Sequence, residues 1–399
     1  MANVSSSNGL EKRPRLAFRN TDGSHFPCWR QTSLGCIIEP YSEKVYGEHD
    51  YEVLTSAREG LQRQEDHFGS KQRHDTDGYN IIPFGYCTYR NRSDDGKFAF
   101  NINTISEKAI VSKFYPVFRF TNANSTFMAE FLNSSPRVKK KLSVLAVGTS
   151  QVVLSFEALK AAKFDLPCKD EQDKIAAFLE CLNARIENQR TLVVALKKYK
   201  RGVVDGIFSR KLNFSYPQTW AELEISELFM PISDKGYSDK IVLTIVQGEG
   251  TMPRDSVDRR IAYDKSTISS YKRVLPNDFI LHLRSFEGGL EIVNEEGVVS
   301  PAYTILRARN EIIPLFFYTF FRSYWFINSK LRISVEGIRD GKSINMNTFW
   351  HIKVPVPSIE EQRHISALIS CIDNRIKIAE FEYKRLLQIR VGLMQQLFI

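Results

Sequence analysis

Residues 166–208 read LPCKDEQDKIAAFLECLNARIENQRTLVVALKKYKRGVVDGIF, and residues 356–398 read VPSIEEQRHISALISCIDNRIKIAEFEYKRLLQIRVGLMQQLF, a second copy of the same segment without a gap. Glu171 and Gln172 fall on Glu361 and Gln362, Arg185 and Ile186 on Arg375 and Ile376, and Gly202 and Phe208 on Gly392 and Phe398. Ahead of each copy lies a larger segment that only loosely resembles its counterpart. A chain that repeats its connector and varies what lies between is arranged to hold two different things at a fixed distance.

The spacing of apolar residues says what the connector is. Ile175, Leu179, Leu182, Ile186, Gln189, Val193, Leu196, Lys200, Val203 and Ile207 step alternately by four and three residues. The second copy repeats the pattern as Ile365, Ile369, Ile372, Ile376, Ala379, Tyr383, Leu386, Arg390, Leu393 and Leu397. That is the seam of a two-stranded coiled coil. Each helix is expected to start just after Pro167 or Pro357, with acidic residues in its first turn and basic ones near its end, as the helix dipole favours. At ~1.5 Å per residue, roughly 40 residues make a rod of about 60 Å. Lys200 and Arg390 share one seam position. There a polar residue either sets register at some cost in stability or snorkels from the seam edge to water.

With 399 residues and 43% hydrophobic content, the chain can bury two or more cores. It lacks an apolar run long enough to span a membrane, and MANVSSSNGLEKRPR lacks the apolar stretch of an export signal, so a cytoplasmic location is expected. Its six cysteines form no CxxC pair, which argues against a zinc site or a disulfide framework. A net charge of +9 favours a polyanionic partner without telling DNA from RNA or an acidic protein.

The two variable segments are distant relatives. An aromatic-proline turn, a tryptophan and apolar residues at helix-like spacing open each: Phe26, Pro27, Trp29, Leu34, Ile37 and Ile38, then Tyr216, Pro217, Trp220, Ile225 and Leu228. Val53, Leu54 and Thr55 recur as Val242, Leu243 and Thr244. A strand follows in each (residues 86–90 and 279–284), then a further strand carrying V-S-x-x-aromatic-x-β-branched-x-R (111–119 and 299–307), then a helix (126–132 and 313–327). The expected architecture is mixed α/β: a polar, mobile tail over 1–14, one domain over 15–165, a helix over 166–210, a second domain over 211–355 and a second helix over 356–399.

The elements GKSINMNTFWHIKVPVPSIEEQ (residues 341–362), LPCKDEQDKIAAFL and KRGVVDGIFSRKLNFSYPQTW resemble the DNA-specificity subunit (HsdS) of type I restriction-modification systems, and the likeness runs from about Arg15 onward. The resemblance implies two target recognition domains, each reading half of a bipartite DNA sequence, joined by two long helices in an antiparallel coiled coil. These helices would serve as a spacer and as docking surfaces for two methylation subunits, with an endonuclease/translocase subunit as a further partner in host defence. The first domain departs from the pattern where the second has Gly341, Lys342 and Ser343, showing Gln151, Val152 and Val153 instead.

Independently, two unlike domains on an antiparallel helix pair would be related by a pseudo-two-fold axis, as DNA half-sites are. One turn of duplex is ~34–36 Å, so a rod of this length spans on the order of one to one and a half turns. Readout needs base-edge contacts from arginine, lysine, asparagine or glutamine over a background of phosphate contacts. In the first domain the candidates are Arg58, Arg63, Lys71 and Arg73, then the turn with Arg90, Asn91, Arg92 and Lys97. In the second they are Gln247, Arg254, Arg259 and Arg260, then Lys272, Arg273 and Arg284, and finally Arg339 and Lys342. Arg137, Lys139, Lys140 and Lys141 suit phosphate contact or a solvated helix end equally well. For each, the alternative is plain surface charge paired with a nearby acid.

Catalytic signals are weak. The strip from Gly337 to Ser343 has three residues between its glycines where a phosphate-binding loop needs four. Gly248-Glu249-Gly250 is a lone GxG, no Asn-Pro-Pro-aromatic methyltransferase motif occurs, and no histidines stand at metal-ligand spacing. The chain is therefore expected to be non-catalytic and to hold no metal or cofactor itself. S-adenosylmethionine, ATP and Mg are expected on partner subunits. The competing readings are a specificity module for a fused methyltransferase-nuclease of a related restriction type, and a coiled-coil scaffold that binds proteins.

Overall fold

Pro167 and Pro357 end the strands that lead into the two long helices, Lys169–Phe208 and Ile359–Leu397. Proline has no N–H to continue a strand ladder, and the next residue caps the helix: Cys168 O accepts from Gln172 N at 3.0 Å, and Ser358 O from Gln362 N at 2.9 Å. The computed structural model describes residues 14–69, 75–212, 219–257, 265–282, 287–337 and 342–398. It divides into two compact units, Met1–Gln189 with Glu382–Ile399, and Arg190–Phe381. Each unit therefore contains one of the two variable segments, the near part of one long helix and the far part of the other.

The first unit is built on an antiparallel sheet in the order Ile38–Tyr41, Val117–Phe120, Cys87–Tyr89, Phe100–Ile102. Helix Ser125–Ser134 covers it with Phe127, Met128, Phe131 and Leu132, all buried. A second sheet runs Gly60–Arg63, Glu52–Ala57, Lys108–Val111, Asn80–Pro83. Strand Arg30–Ser33 pairs with Lys163–Leu166, stitching the start of the domain to the strand before the long helix. Into this core comes the last turn of the second long helix: Met394, Leu397 and Phe398 are buried in it. The Phe398 ring meets Phe127 and Phe131 edge-on at 5.9 and 5.5 Å.

The second unit repeats the plan with other residues. Its sheet runs Phe229–Ile232, Tyr303–Ala308, Phe279–His282, Glu291–Ile292, again antiparallel. Helix Pro314–Phe321 buries Phe316, Phe317, Phe320 and Phe321 against it. Strand Ala221–Glu224 pairs with Lys353–Val356. Val203, Val204, Ile207 and Phe208, the end of the first long helix, complete this core.

Three sequence expectations change. The V-S-x-x-aromatic stretch is two strands, not one. In the first unit Lys108–Val111 and Val117–Phe120 belong to different sheets, and in the second Gly297–Val299 and Tyr303–Ala308 pair with different neighbours. The serine makes the break: Ser112 O accepts from Tyr115 N and Ser112 Oγ from Phe114 N, while Ser300 O accepts from Tyr303 N and Ser300 Oγ from Ala302 N. Such turns let a side chain compete with the ladder for backbone donors. The apolar opening of each domain is a one-turn helix between strands, Leu34–Cys36 and Ile225–Leu228, because the extended ends are needed for sheet pairing. The helix expected over 313–327 stops at Phe321, and a separate π turn forms over Phe326–Lys330.

Phe398→Ala is expected to destabilise the first unit by about 3–5 kcal/mol, as loss of a buried aromatic ring does. Denaturant unfolding followed in that unit measures this, and an unchanged midpoint would show that the ring is not part of the core.

Candidate nucleic-acid interface

Seam positions pack in a graded way. In the first unit Ile175 and Leu179 are buried, Leu182, Ile186 and Leu386 half-buried, and Leu393 half-buried beside the core. In the second, Ile365, Ile369, Ile372 and Ile376 are buried, and Val193 and Leu196 half-buried. The contacts run antiparallel within each unit: Gln189 Nε2 donates to Glu382 and Asn183 Oδ1 accepts from Arg390 in one, Lys197 meets Glu380 at 2.7 Å and Lys200 meets Asp373 at 2.6 Å in the other.

Both seam cations are paired. Arg390 grips both carboxylate oxygens of Glu130, on helix Ser125–Ser134, at 2.9 and 2.8 Å, and Asn183 Nδ2 donates to the same carboxylate at 3.0 Å. Asn183 and Asp373 are equivalent in the repeat, as are Arg390 and Lys200. One polar layer thus occurs twice, with the acid supplied by helix Ser125–Ser134 in the first unit and by the long helix in the second. Each seam cation is therefore held by a carboxylate beside the seam, which favours a role in setting register over snorkelling.

The repeated Glu-Gln pair has a structural role that the sequence marked only by recurrence. Gln172 and Gln362 are buried. Each donates to the carbonyl of the preceding proline, Pro167 or Pro357, at 3.0 Å, and accepts from the backbone N–H that leads into helix Ser125–Ser134 or Pro314–Phe321, Asn124 at 2.9 Å or Ile313 at 3.0 Å. Glu171 accepts from the Trp29 indole N–H at 3.2 Å. These side chains fix each long helix to its own domain.

The proposed DNA contacts divide into three groups. Lys71, Arg73, Arg259, Arg260, Arg284 and Arg339 lie outside the described residues. Several others have internal work. Lys272 Nζ donates to Tyr303 O at 2.7 Å, and burial lowers its pKa. Arg273 meets Glu296 at 2.8 Å and lies over the Tyr237 ring at 4.7 Å. Arg63 pairs with Glu52 at 2.9 Å, a carboxylate held low first by Ser106 and then by Arg63. Arg254 and Asn91 are half-buried.

The exposed remainder is Arg58, Arg90, Arg92, Lys97, Gln247 and Lys342. Arg58 and Lys97 converge on Asp95 at 2.8 and 3.4 Å. That carboxyl is held down to about 2, chiefly by accepting from Ser93 Oγ. Beside them opens a cleft of about 750 Å³, lined by Arg58, Lys97, Asn101, Lys139 and Arg390 among others. Arg92 lies over the Phe114 ring at 5.3 Å. On helix Pro136–Leu145, Arg137, Lys139, Lys140 and Lys141 face outward while Val138 and Leu142 pack inward. The strip that departs from the family pattern has its own local partner: Val152–Val153 pairs with Arg92–Ser93, whereas Ser343–Ile344 pairs with Val335–Glu336. No cluster of metal-ligating side chains occurs among the described residues, nor is any described helix long and apolar enough to cross a membrane.

The two units share one topology, and each presents a few exposed basic and amide side chains on an aromatic core. Residues 40–196 match the family model described as the type I restriction modification DNA specificity domain. The chain is 24% identical over 224 residues to the putative type I restriction enzyme MjaX specificity subunit of Methanocaldococcus jannaschii, which covers 52% of this chain and 51% of that protein. It is 24% identical over 215 residues to the MjaVIII specificity subunit of the same organism, covering 52% and 47%. The chain spans about half the length of these curated relatives in the match. Among solved structures, the type I S subunit from M. genitalium aligns with a TM-score of 0.54 at 17% identity, over 97% of this chain and 99% of that one. The HsdS subunit from Thermoanaerobacter tengcongensis aligns with a TM-score of 0.51 at 15% identity, over 93% and 96%. The resemblance to HsdS subunits drawn from the sequence is borne out, and the fold is of HsdS type.

A double-mutant cycle on Arg390→Ala and Glu130→Ala should give a coupling of about 0.5–3 kcal/mol, as for contacting residues in one network. Simple additivity of the two losses would contradict the layer described.

Proposed function

We propose that this chain is the sequence-recognition subunit of a type I restriction-modification complex, with no chemistry of its own, reading a bipartite DNA target and directing methylation and endonuclease subunits to it. The observation that carries this reading is the doubling of one domain plan with its framework kept and its exposed loops changed: Gln172 and Gln362 make the same pair of hydrogen bonds, while Arg58 and Gln247 stand on the matching hairpins. A framework repeated in this way suits two readers of unlike half-sites.

The long helices supply the spacer and the docking faces in this proposal. They expose apolar side chains that a folded surface otherwise hides: Val194 at 62% and Phe381 at 68% in the second unit, and Val391 at 59% in the first. Faces of this kind suit partner subunits. S-adenosylmethionine, ATP and Mg would be bound by those partners, and target adenines would be swung out into a partner's pocket.

Two outcomes test the proposal. Binding of the assembled complex to its target should weaken steeply between low and moderate salt, because phosphate contacts release counterions; a salt-insensitive association would favour a protein scaffold. Deleting one heptad from each helix, residues 186–192 and 376–382, should shorten the gap in the methylated motif or abolish methylation. An unchanged motif would refute the spacer role.

A further inference from the structure

Each unit carries one β-hairpin whose tip is tethered by a buried polar side chain from the edge strand of the main sheet. In the first unit Glu52–Ala57 and Gly60–Arg63 pair with Ala57 opposite Gly60, so Arg58 and Glu59 form the tip. In the second, Leu243–Val246 and Gly250–Pro253 pair with Val246 opposite Gly250, leaving Gln247, Gly248 and Glu249. The shared Val-Leu-Thr, residues 53–55 and 242–244, aligns the two leading strands. Arg58 and Gln247 are then the same position: the first residue beyond the strand.

The tethers are equivalent too. Asn101 lies opposite Thr88, and Glu291 opposite Ile280, on edge strands that occupy the same place in the two sheet orders. Both are buried, at 7% and 4% exposure. A polar group buried at such a place is costly unless its hydrogen bonds are made, and each makes at least one of them to the hairpin. Asn101 Nδ2 donates to Ser56 Oγ at 2.9 Å and to Ala57 O at 2.8 Å. Glu291 Oε1 accepts from Gly248 N at 3.0 Å, while its other oxygen accepts from the Tyr318 hydroxyl at 3.0 Å and Arg322 pairs with the carboxylate. Each hairpin is thus anchored to the main sheet beneath it.

Those side chains are held but open. Arg58 is 67% exposed and oriented by Asp95 at 2.8 Å. Gln247 is exposed, and its amide packs on Gly288. A two-stranded ribbon fits the major groove, where arginine pairs bidentately with guanine O6 and N7 and glutamine with adenine N6 and N7. We infer that the hairpin tips are matched specificity elements: Arg58 reads a guanine in one half-site and Gln247 reads an adenine in the other, with Asn101 and Glu291 as positioning residues. The inference rests on the DNA-reading function proposed above.

The test uses the full chain with its cognate partner subunits in a host free of other adenine methylation, with methylated positions mapped across the genome. Arg58→Ala should relax one guanine position in one half-site, with discrimination there falling about 10- to 100-fold, and should leave the other half-site intact. Gln247→Ala should relax one adenine position in the other half-site only. Asn101→Ala, which keeps Arg58 and removes its anchor, should broaden the same guanine position, an effect that mere loss of stability does not produce. Where a variant abolishes methylation, affinities of the purified complex for duplexes substituted at each position supply the same readout. A bipartite motif from the unaltered chain that persists at every position in both tip variants would overturn the inference and leave the proposed function standing. No bipartite methylation from the unaltered chain would overturn both.

Discussion

Neither variable segment has a complete core without a helix end that arrives from far along the chain. Phe398 stands among Phe127, Phe131 and the rest of the first core, and Phe208 among Phe316 and Phe320 of the second. Burying rings of this size contributes a few kcal/mol each, against a net stability for a domain of only about 5–15 kcal/mol. The long helices are thus load members of both units, and a change in their register disturbs cores as well as a seam.

Two polar devices fix that register. The buried glutamines clamp the start of each helix to its domain through backbone groups, which no change of loop sequence alters. The Arg390–Glu130 and Lys200–Asp373 layer then resists sliding, because slipping would leave a partly buried charge without its partner. The hairpin tips above this frame differ between the two units while the frame recurs.

The helices were legible in the sequence because a heptad stripe extends over many turns and tertiary context cannot disguise it. Their starts were legible from Pro167 and Pro357. The strand break inside V-S-x-x-aromatic was not, since Ser112 and Ser300 act through side-chain and backbone hydrogen bonds that leave the apolar pattern intact. Charge alone does not sort the candidates: Lys272 and Arg273 bind groups of their own domain while Arg58 and Gln247 stand exposed, and nothing in a sequence distinguishes the two cases. The tethers Asn101 and Glu291 gave no signal either, as their equivalence appears only when the sheet orders are laid side by side.

The most direct measurement is native-state hydrogen exchange, resolved by peptide, on the intact chain. If the far end of the second helix is part of the first core, amides of 391–398 will show the protection of 127–132 and lose it with them as denaturant is added, since residues of one cooperative unit open together. Early exchange over 391–398, with 127–132 still protected, would contradict the account.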